Sequence, residues 1–398
     1  MTGARNRSRT AWALAAAALF LAGGAQAQEI KVGGIFDLTG VTSDVGKPYA
    51  QGVQDAVAWV NQSGGINGKK IKLIGMDYGY KIPEAQAGYK RLVKDEKVVM
   101  INGWGTGDTI ALRDFVNRDK VPYFSASFAG DLTDPKRTPY NFFNAPSYSD
   151  QLRAWLSWVK ADWKDKSRAP KVAFMYGDNP YGKAPMEAGR RFCKENGIEL
   201  VDEEVLPPNF QDATSQLLNM KAKGADYAYI NVTTTGVSLV LKGAKALGLK
   251  TKFGSNPYGF SEQLPAVAKE TAEGVTGVVP HVPYGAEVPG MKPLLDFHKK
   301  NHPNDTHDAM YVRGWSSVLV WSEALRRADK GGKLTGEGVR AAAETLKDFS
   351  TGGLAPDITF TSADHRPSTK TPIYQVKGGK LVKVAEYDMP RRPDWLGL

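Results

Sequence analysis

Five short loops gather the residues of this chain that could hold a small solute. Asn102-Gly103-Trp104-Gly105-Thr106-Gly107-Asp108 lies between an apolar run and a helical one. Its glycines let backbone N–H groups approach a ligand closely, the helix start adds partial positive charge, and Thr106 adds a hydroxyl. The spacing is not G-x-G-x-x-G, because position 108 is aspartate, and this disfavours a nucleotide. Ser125-Ala126-Ser127-Phe128 offers hydroxyls, backbone and an aromatic face. Gly177-Asp178-Asn179-Pro180-Tyr181-Gly182 sets Tyr181 at a helix entry. Thr233-Thr234-Thr235 and Ser255-Asn256-Pro257-Tyr258 stand at equivalent places further on. A hydroxyl after a strand often only caps a helix. Five such loops together point to recognition by hydroxyls, N–H donors and rings (Trp104, Phe128, Tyr181, Tyr258).

Catalytic and metal-binding patterns are weak by comparison. G-x-S-x-G does not occur, and Gly68-Lys69 leads into a strand with Ser63 where a phosphate-binding loop has its first glycine. The single cysteine, Cys193, sits in a helical stretch and reads as a small buried apolar residue rather than a nucleophile. His298, His302 and His307 resemble a ligand cluster, but Pro303 interrupts the helix between them, so no metal is expected. No cofactor is called for, and no enzymatic activity is expected.

The loops need a scaffold, and the hydrophobic pattern supplies one. Strand-like runs (Ile30–Phe36, Ile71–Met76, Val98–Ile101, Val121–Phe124) alternate with helical ones (Gly46–Asn61, Pro83–Val93, Asp108–Arg118). A second series follows, with strands at Lys171–Tyr176, Ile198–Val205 and Tyr227–Val232 and helices between them. Such alternation implies an α/β fold of parallel sheets covered by helices, with ligand loops at the carboxyl ends of the strands. Asp131–Ser147, with three prolines and little periodicity, reads as a crossover between the two series. Helices are expected near Pro293–Asn301, Met310–Ala328 and Gly336–Leu346, and short strands at Pro372–Val376 and Lys380–Val384.

The amino terminus points to export. Arg5, Arg7 and Arg9 precede an apolar run from Ala11 to Leu21 and the small-x-small site Ala25-Gln26-Ala27, the pattern of a cleaved secretory signal peptide over residues 1–27. No cysteine follows that site, which argues against a lipid anchor there. The formal charge is +10, or +7 without the three signal arginines. The basic residues are scattered and show no nucleic-acid motif. The mature chain is long enough for two lobes, and without a disulfide it must rely on its core.

These segments resemble the periplasmic branched-chain amino-acid-binding proteins of ABC importers. The resemblance rests on Lys31–Gly40, Tyr49–Gly52, the turn Asn61-Gln62-Ser63-Gly64-Gly65-Ile66-Asn67-Gly68, Pro83-Glu84-Ala85, and Tyr176–Gly182 followed by Phe210 and Asp212. It implies two Rossmann-like lobes joined by three crossovers, the type I periplasmic binding protein fold. Lobe one would comprise residues 28–145 and 281–355, lobe two 146–280 and 356–398. It further implies a periplasmic monomer that delivers a small-molecule carboxylate to an ABC permease in the inner membrane, with no nucleic-acid partner. Thr106 falls where the family holds the ligand carboxylate. Ser127 falls near a backbone contact, Phe128 replaces a threonine, Tyr181 matches a covering aromatic, and Thr234 lies near a replaced one. The loop Gly254–Gly259 lacks the acid that holds an ammonium in amino-acid binders. A buried ammonium without a partner is costly. The expected ligand is therefore an aromatic acid such as a benzoate or phenylpropanoid, with Tyr258 among its contacts. The alternatives are a branched-chain or other amino acid, with Asp44 or Asp178 serving the ammonium, and a ligand sensor for a membrane receptor.

Overall fold

A computed structural model describes residues 29–398; the expected signal peptide lies outside the described residues. The first sheet contains β1 (Ile30–Phe36), β2 (Ile71–Asp77), β3 (Met100–Gly103), β4 (Tyr123–Ser125) and β5 (Asn141–Phe142), in the order β2-β1-β3-β4-β5. All its pairings are parallel, with Ile30 opposite Ile71 and Val32 opposite Met100. β1 is buried along almost its whole length, as a central parallel strand covered on both faces must be.

The second sheet contains β6 (Lys171–Gly177), β7 (Glu199–Leu206), β8 (Tyr227–Asn231), β9 (Lys252–Ser255), β10 (Thr276–Val278), β11 (Lys370–Lys377) and β12 (Lys380–Asp388). Its order is β12-β11-β10-β9-β8-β6-β7. β6 to β10 are parallel, while β11 and β12 form an antiparallel hairpin at one edge. The fold is α/β with two Rossmann-like lobes and three crossovers between them.

The helices Met291–Asn301, Ala309–Lys330 and Gly336–Ala343 lie in sequence between β10 and β11 of the second sheet yet pack on the first. Their apolar residues Leu294, Trp315, Val318, Trp321 and Val339 share one core with Val32, Ile35 and Val53, and Ile358 and Phe360 join it. The second sheet is covered by separate clusters on its two faces, one around Ile230, Val240 and Phe260, the other around Trp155, Phe174 and Tyr229. Tyr181 and Tyr258, carried by the second sheet's loops, belong to the first lobe's cluster. The lobes are therefore packed together through the site.

Three local features differ from the sequence reading. β5 lies inside the segment expected to be irregular, and β10 is a short strand of three residues. The expected helix Pro83–Val93 is α-helical over Ile82–Lys90 and ends in a π turn, Arg91–Asp95.

Candidate ligand-binding site

The loops leaving β3, β4, β6, β8 and β9 all meet at the interface between the lobes. They border a small cavity lined by Thr42, Val45, Tyr80, Trp104, Gly105, Thr106, Ala126, Tyr148, Tyr181, Thr233 and Tyr258. Four residues expected from sequence (Trp104, Thr106, Tyr181 and Tyr258) form the wall. The other three stand one layer back. Ser127 Oγ donates to Thr106 Oγ1 at 2.9 Å, Phe128 stacks behind Tyr258 at 5.9 Å, and Thr234 Oγ1 donates to the Tyr258 carbonyl at 3.1 Å. On that loop Thr233, not Thr234, faces the cavity.

Each wall residue is held by a second set of bonds. Trp104 Nε1 donates to Thr42 Oγ1 at 2.9 Å, and Thr42 Oγ1 donates to Asp37 Oδ2 at 2.6 Å. This fixes the indole plane. Thr106 opens the helix Thr106–Asp119, so its neighbouring N–H groups have no intrahelical acceptor. Its oxygen accepts from Ser127, and its hydroxyl also lies within reach of the Tyr148 hydroxyl, so Thr106 is tied to both neighbours.

On the second lobe one side chain organises two rings. Asn256 Oδ1 accepts from the Tyr181 hydroxyl, from Tyr258 N at 2.7 Å and from Gly259 N at 3.2 Å. Its Nδ2 donates to the Val232 and Ile230 carbonyls at 2.8 and 3.2 Å. Asn256 thus ties the loops after β8 and β9 together beneath Tyr181 and Tyr258.

Tyr258 crosses between lobes. Its hydroxyl donates to the Ala126 carbonyl, and its ring meets Trp104 edge-on at 5.5 Å and Tyr181 edge-on at 5.8 Å. Edge-to-face rings at these separations are favourable. Behind it lies Arg313, whose guanidinium sits 4.1 Å over the Tyr258 ring and donates to the Pro257 carbonyl at 3.2 Å. Arg313 is 1 % exposed, and no carboxylate among the described residues pairs with it. His281 Nδ1 accepts from Arg313 Nε at 3.4 Å. Burial, then the Arg313 charge, holds the His281 imidazole well below its ordinary range, so it stays neutral.

The acids weighed from sequence are engaged elsewhere. Asp44 Oδ2 accepts from Thr235 N and Oγ1, and Asp178 pairs with Lys183. None of the lining residues carries a carboxylate.

Sequence patterns did not single out Thr42, Val45, Tyr80, Tyr148 and Arg313, and gave Asn256 only as a member of its loop. The last belongs to the helix Ala309–Lys330, whose amphipathic pattern marks a core face without saying which loop it meets.

Away from the site, Cys193 is buried, and burial pushes its thiol up to about 12. The three histidines do come together, His298 and His307 at 4.2 Å between ring centroids and His298 and His302 at 5.9 Å. No group of three potential ligands among the described residues is arranged to hold a metal ion.

Two parallel-sheet lobes closing on an aromatic and hydroxyl-lined cavity define a bilobed solute-binding protein. The chain belongs to the periplasmic binding protein family, whose profile matches residues 29–380. It is 26% identical over 396 residues to Leu/Ile/Val-binding protein homolog 7 of Brucella suis biovar 1, covering 94% of this chain and 95% of that one. An ABC transporter substrate binding protein from Aeropyrum pernix superposes with a TM-score of 0.86 at 28% identity, covering 93% and 98% of the two chains. A branched chain amino acid ABC transporter protein from Thermus thermophilus with bound valine superposes with a TM-score of 0.85 at 26% identity, covering 91% and 97%. No helix among the described residues is long and apolar enough to cross a membrane.

Proposed function

We propose that this protein captures a small carboxylate-bearing solute between its lobes in the periplasm and delivers it to an ABC permease. The observation that carries this reading is Thr106. It stands at a helix start, where the first N–H groups lack an intrahelical acceptor, and its hydroxyl, which accepts from Ser127, faces a cavity walled by rings. A helix start of this kind attracts an anion. The cavity is small and closely walled by side chains from both lobes, so a ligand must be small.

Among carboxylates, the wall favours an aromatic acid such as a benzoate or phenylpropanoid. Five aromatic residues line it and no acid does, so a ligand ammonium would lose its hydration without gaining a counter-ion. A second reading, a branched-chain amino acid, draws on the Leu/Ile/Val-binding name of the Brucella relative and on the valine-bound Thermus protein.

A thermal-shift screen followed by calorimetry separates them, using benzoate and 3-phenylpropanoate against leucine, isoleucine and valine. A ligand at a hundred times its Kd adds about 2.7 kcal/mol of stability. Tighter binding of an aromatic acid is the expected result. Micromolar binding of leucine with no response to either aromatic acid would establish the second reading, and no response to any of the five would remove the carboxylate proposal.

A further inference from the structure

The loop that presents Thr106 ends in a carboxyl that the reading above leaves unused. Asp108 is 2% exposed. Its Oδ1 accepts from the Tyr78 hydroxyl at 2.8 Å, while its Oδ2 is buried without a hydrogen-bond partner. Gly105 and Tyr80, which both line the cavity, lie against this carboxyl. A side chain at position 105 would collide with Asp108 Oδ1 and the Tyr78 hydroxyl and would come within 2.7 Å of the Tyr80 ring. Gly105 itself lines the cavity, next to Thr106.

We propose that Asp108 determines which charge form of solute the cleft accepts, admitting a carboxylate at Thr106 only while it is itself protonated. The inference rests on the carboxylate reading. Two carboxylates separated by a glycine in a water-poor site cannot both be ionised at low cost. The titratable groups that face Asp108 are Asp37 from the end of β1, Tyr78 and Tyr80 from the loop after β2, and Tyr123 from β4. From the second lobe the Pro180 ring lies 3.6 Å from the position a side chain on Gly107 would take. No lysine or arginine among the described residues pairs with Asp108. Burial is the largest influence and pushes this carboxyl up to about 7, with the Tyr78 hydrogen bond opposing it. An ammonium would reverse the preference, since it would draw Asp108 into its ionised form.

The test is calorimetric titration from pH 5.5 to 8.5, with benzoate and with valine as probes. The proteins are the wild type, Asp108→Asn and Tyr78→Phe. In the wild type, benzoate affinity should fall as pH rises past neutrality, approaching tenfold per unit. Asp108→Asn should show no such fall. Tyr78→Phe, which removes the bond that favours the ionised form, should move the fall to higher pH. Valine carries an ammonium beside its carboxylate, so its wild-type affinity should fall less with pH than that of benzoate, and the difference between the two profiles should vanish in Asp108→Asn. Wild-type binding that is flat with pH, or a pH profile that survives in Asp108→Asn, would overturn the role of Asp108 alone. No binding of either probe at any pH would overturn the carboxylate reading and, with it, this one.

Discussion

Asp44 of the first lobe and Thr235 of the second are joined across the mouth of the cleft, Oδ2 accepting from the Thr235 hydroxyl at 3.0 Å and from its N–H at 3.3 Å. Thr235 lies in the first turn of the helix Thr234–Ala246, so the carboxylate also meets the positive end of that helix. Asp44 is half-buried and serves as a clasp between lobes.

Asp44→Ala should therefore weaken closure without touching the ligand. These bonds are exposed, so they contribute at the level of an ordinary hydrogen bond, about 0.5–1.5 kcal/mol, and affinity should fall by up to about tenfold. Small-angle scattering of the ligand-bound protein should show a larger radius of gyration at equal, subsaturating ligand. An unchanged affinity and radius would mean that the clasp forms without consequence.

Thr106→Val tests the anchor itself. Valine keeps the shape, removes the donor to the carboxylate, and leaves Ser127 Oγ without its acceptor. The expected loss is about 1–3 kcal/mol of binding, roughly tenfold to a hundredfold by calorimetry. Wild-type affinity in this variant would take Thr106 out of the site.

A pH effect on stability should come from the histidine group. His307 stacks on Tyr311 at 4.1 Å and abuts His298. Burial, then the neighbouring His298, pulls its imidazole down to about 4 from an ordinary 6.5. A histidine depressed in the folded state binds its proton more readily once unfolded. The stability this neutral ring contributes is thus present above pH 6.5 and lost as pH falls from 6.5 towards 4. His307→Gln should show a smaller drop in melting temperature between pH 7 and pH 4.5 than the wild type. Equal drops would exclude His307 as the source.

Much of this site could be read from sequence because strand ends could. Thr106 and Tyr181 each follow an apolar run and open a helix, and in a parallel sheet that arrangement puts both at the ligand edge. Tyr80 and Thr42 come from loops after β2 and β1 that carry no periodic signal. Arg313 was hidden differently. Its helix is legible, but its contact with Tyr258 depends on how the two lobes meet, and no local pattern encodes that. β5 leaves no mark in the sequence because its two residues, Asn141 and Phe142, are too few to show alternation. The histidines looked separated because Pro303 ends the helix after His298. The loop then folds back and lays His307 on Tyr311.

The crossing of Ser43–Gln62 and Ala309–Lys330 depends on two glycines that face opposite ways. A side chain at Gly52 would strike the Tyr311 carbonyl, and one at Gly314 would strike the Tyr49 carbonyl. The obstacles are backbone oxygens on neighbouring helices, so rotamer changes cannot relieve them. Gly52→Ala or Gly314→Ala must push the helices apart, and overpacking of this kind costs about 1–3 kcal/mol. Alanine's better helix propensity, worth about 1 kcal/mol, offsets part of that. Both substitutions act on one separation, so a helix already displaced by the first should accommodate the second at lower cost. Denaturant unfolding should show each single variant destabilised and the double variant destabilised by less than the sum. Wild-type stability in either single variant, or strict additivity in the double, would mean that the two backbones are not in the close contact described here.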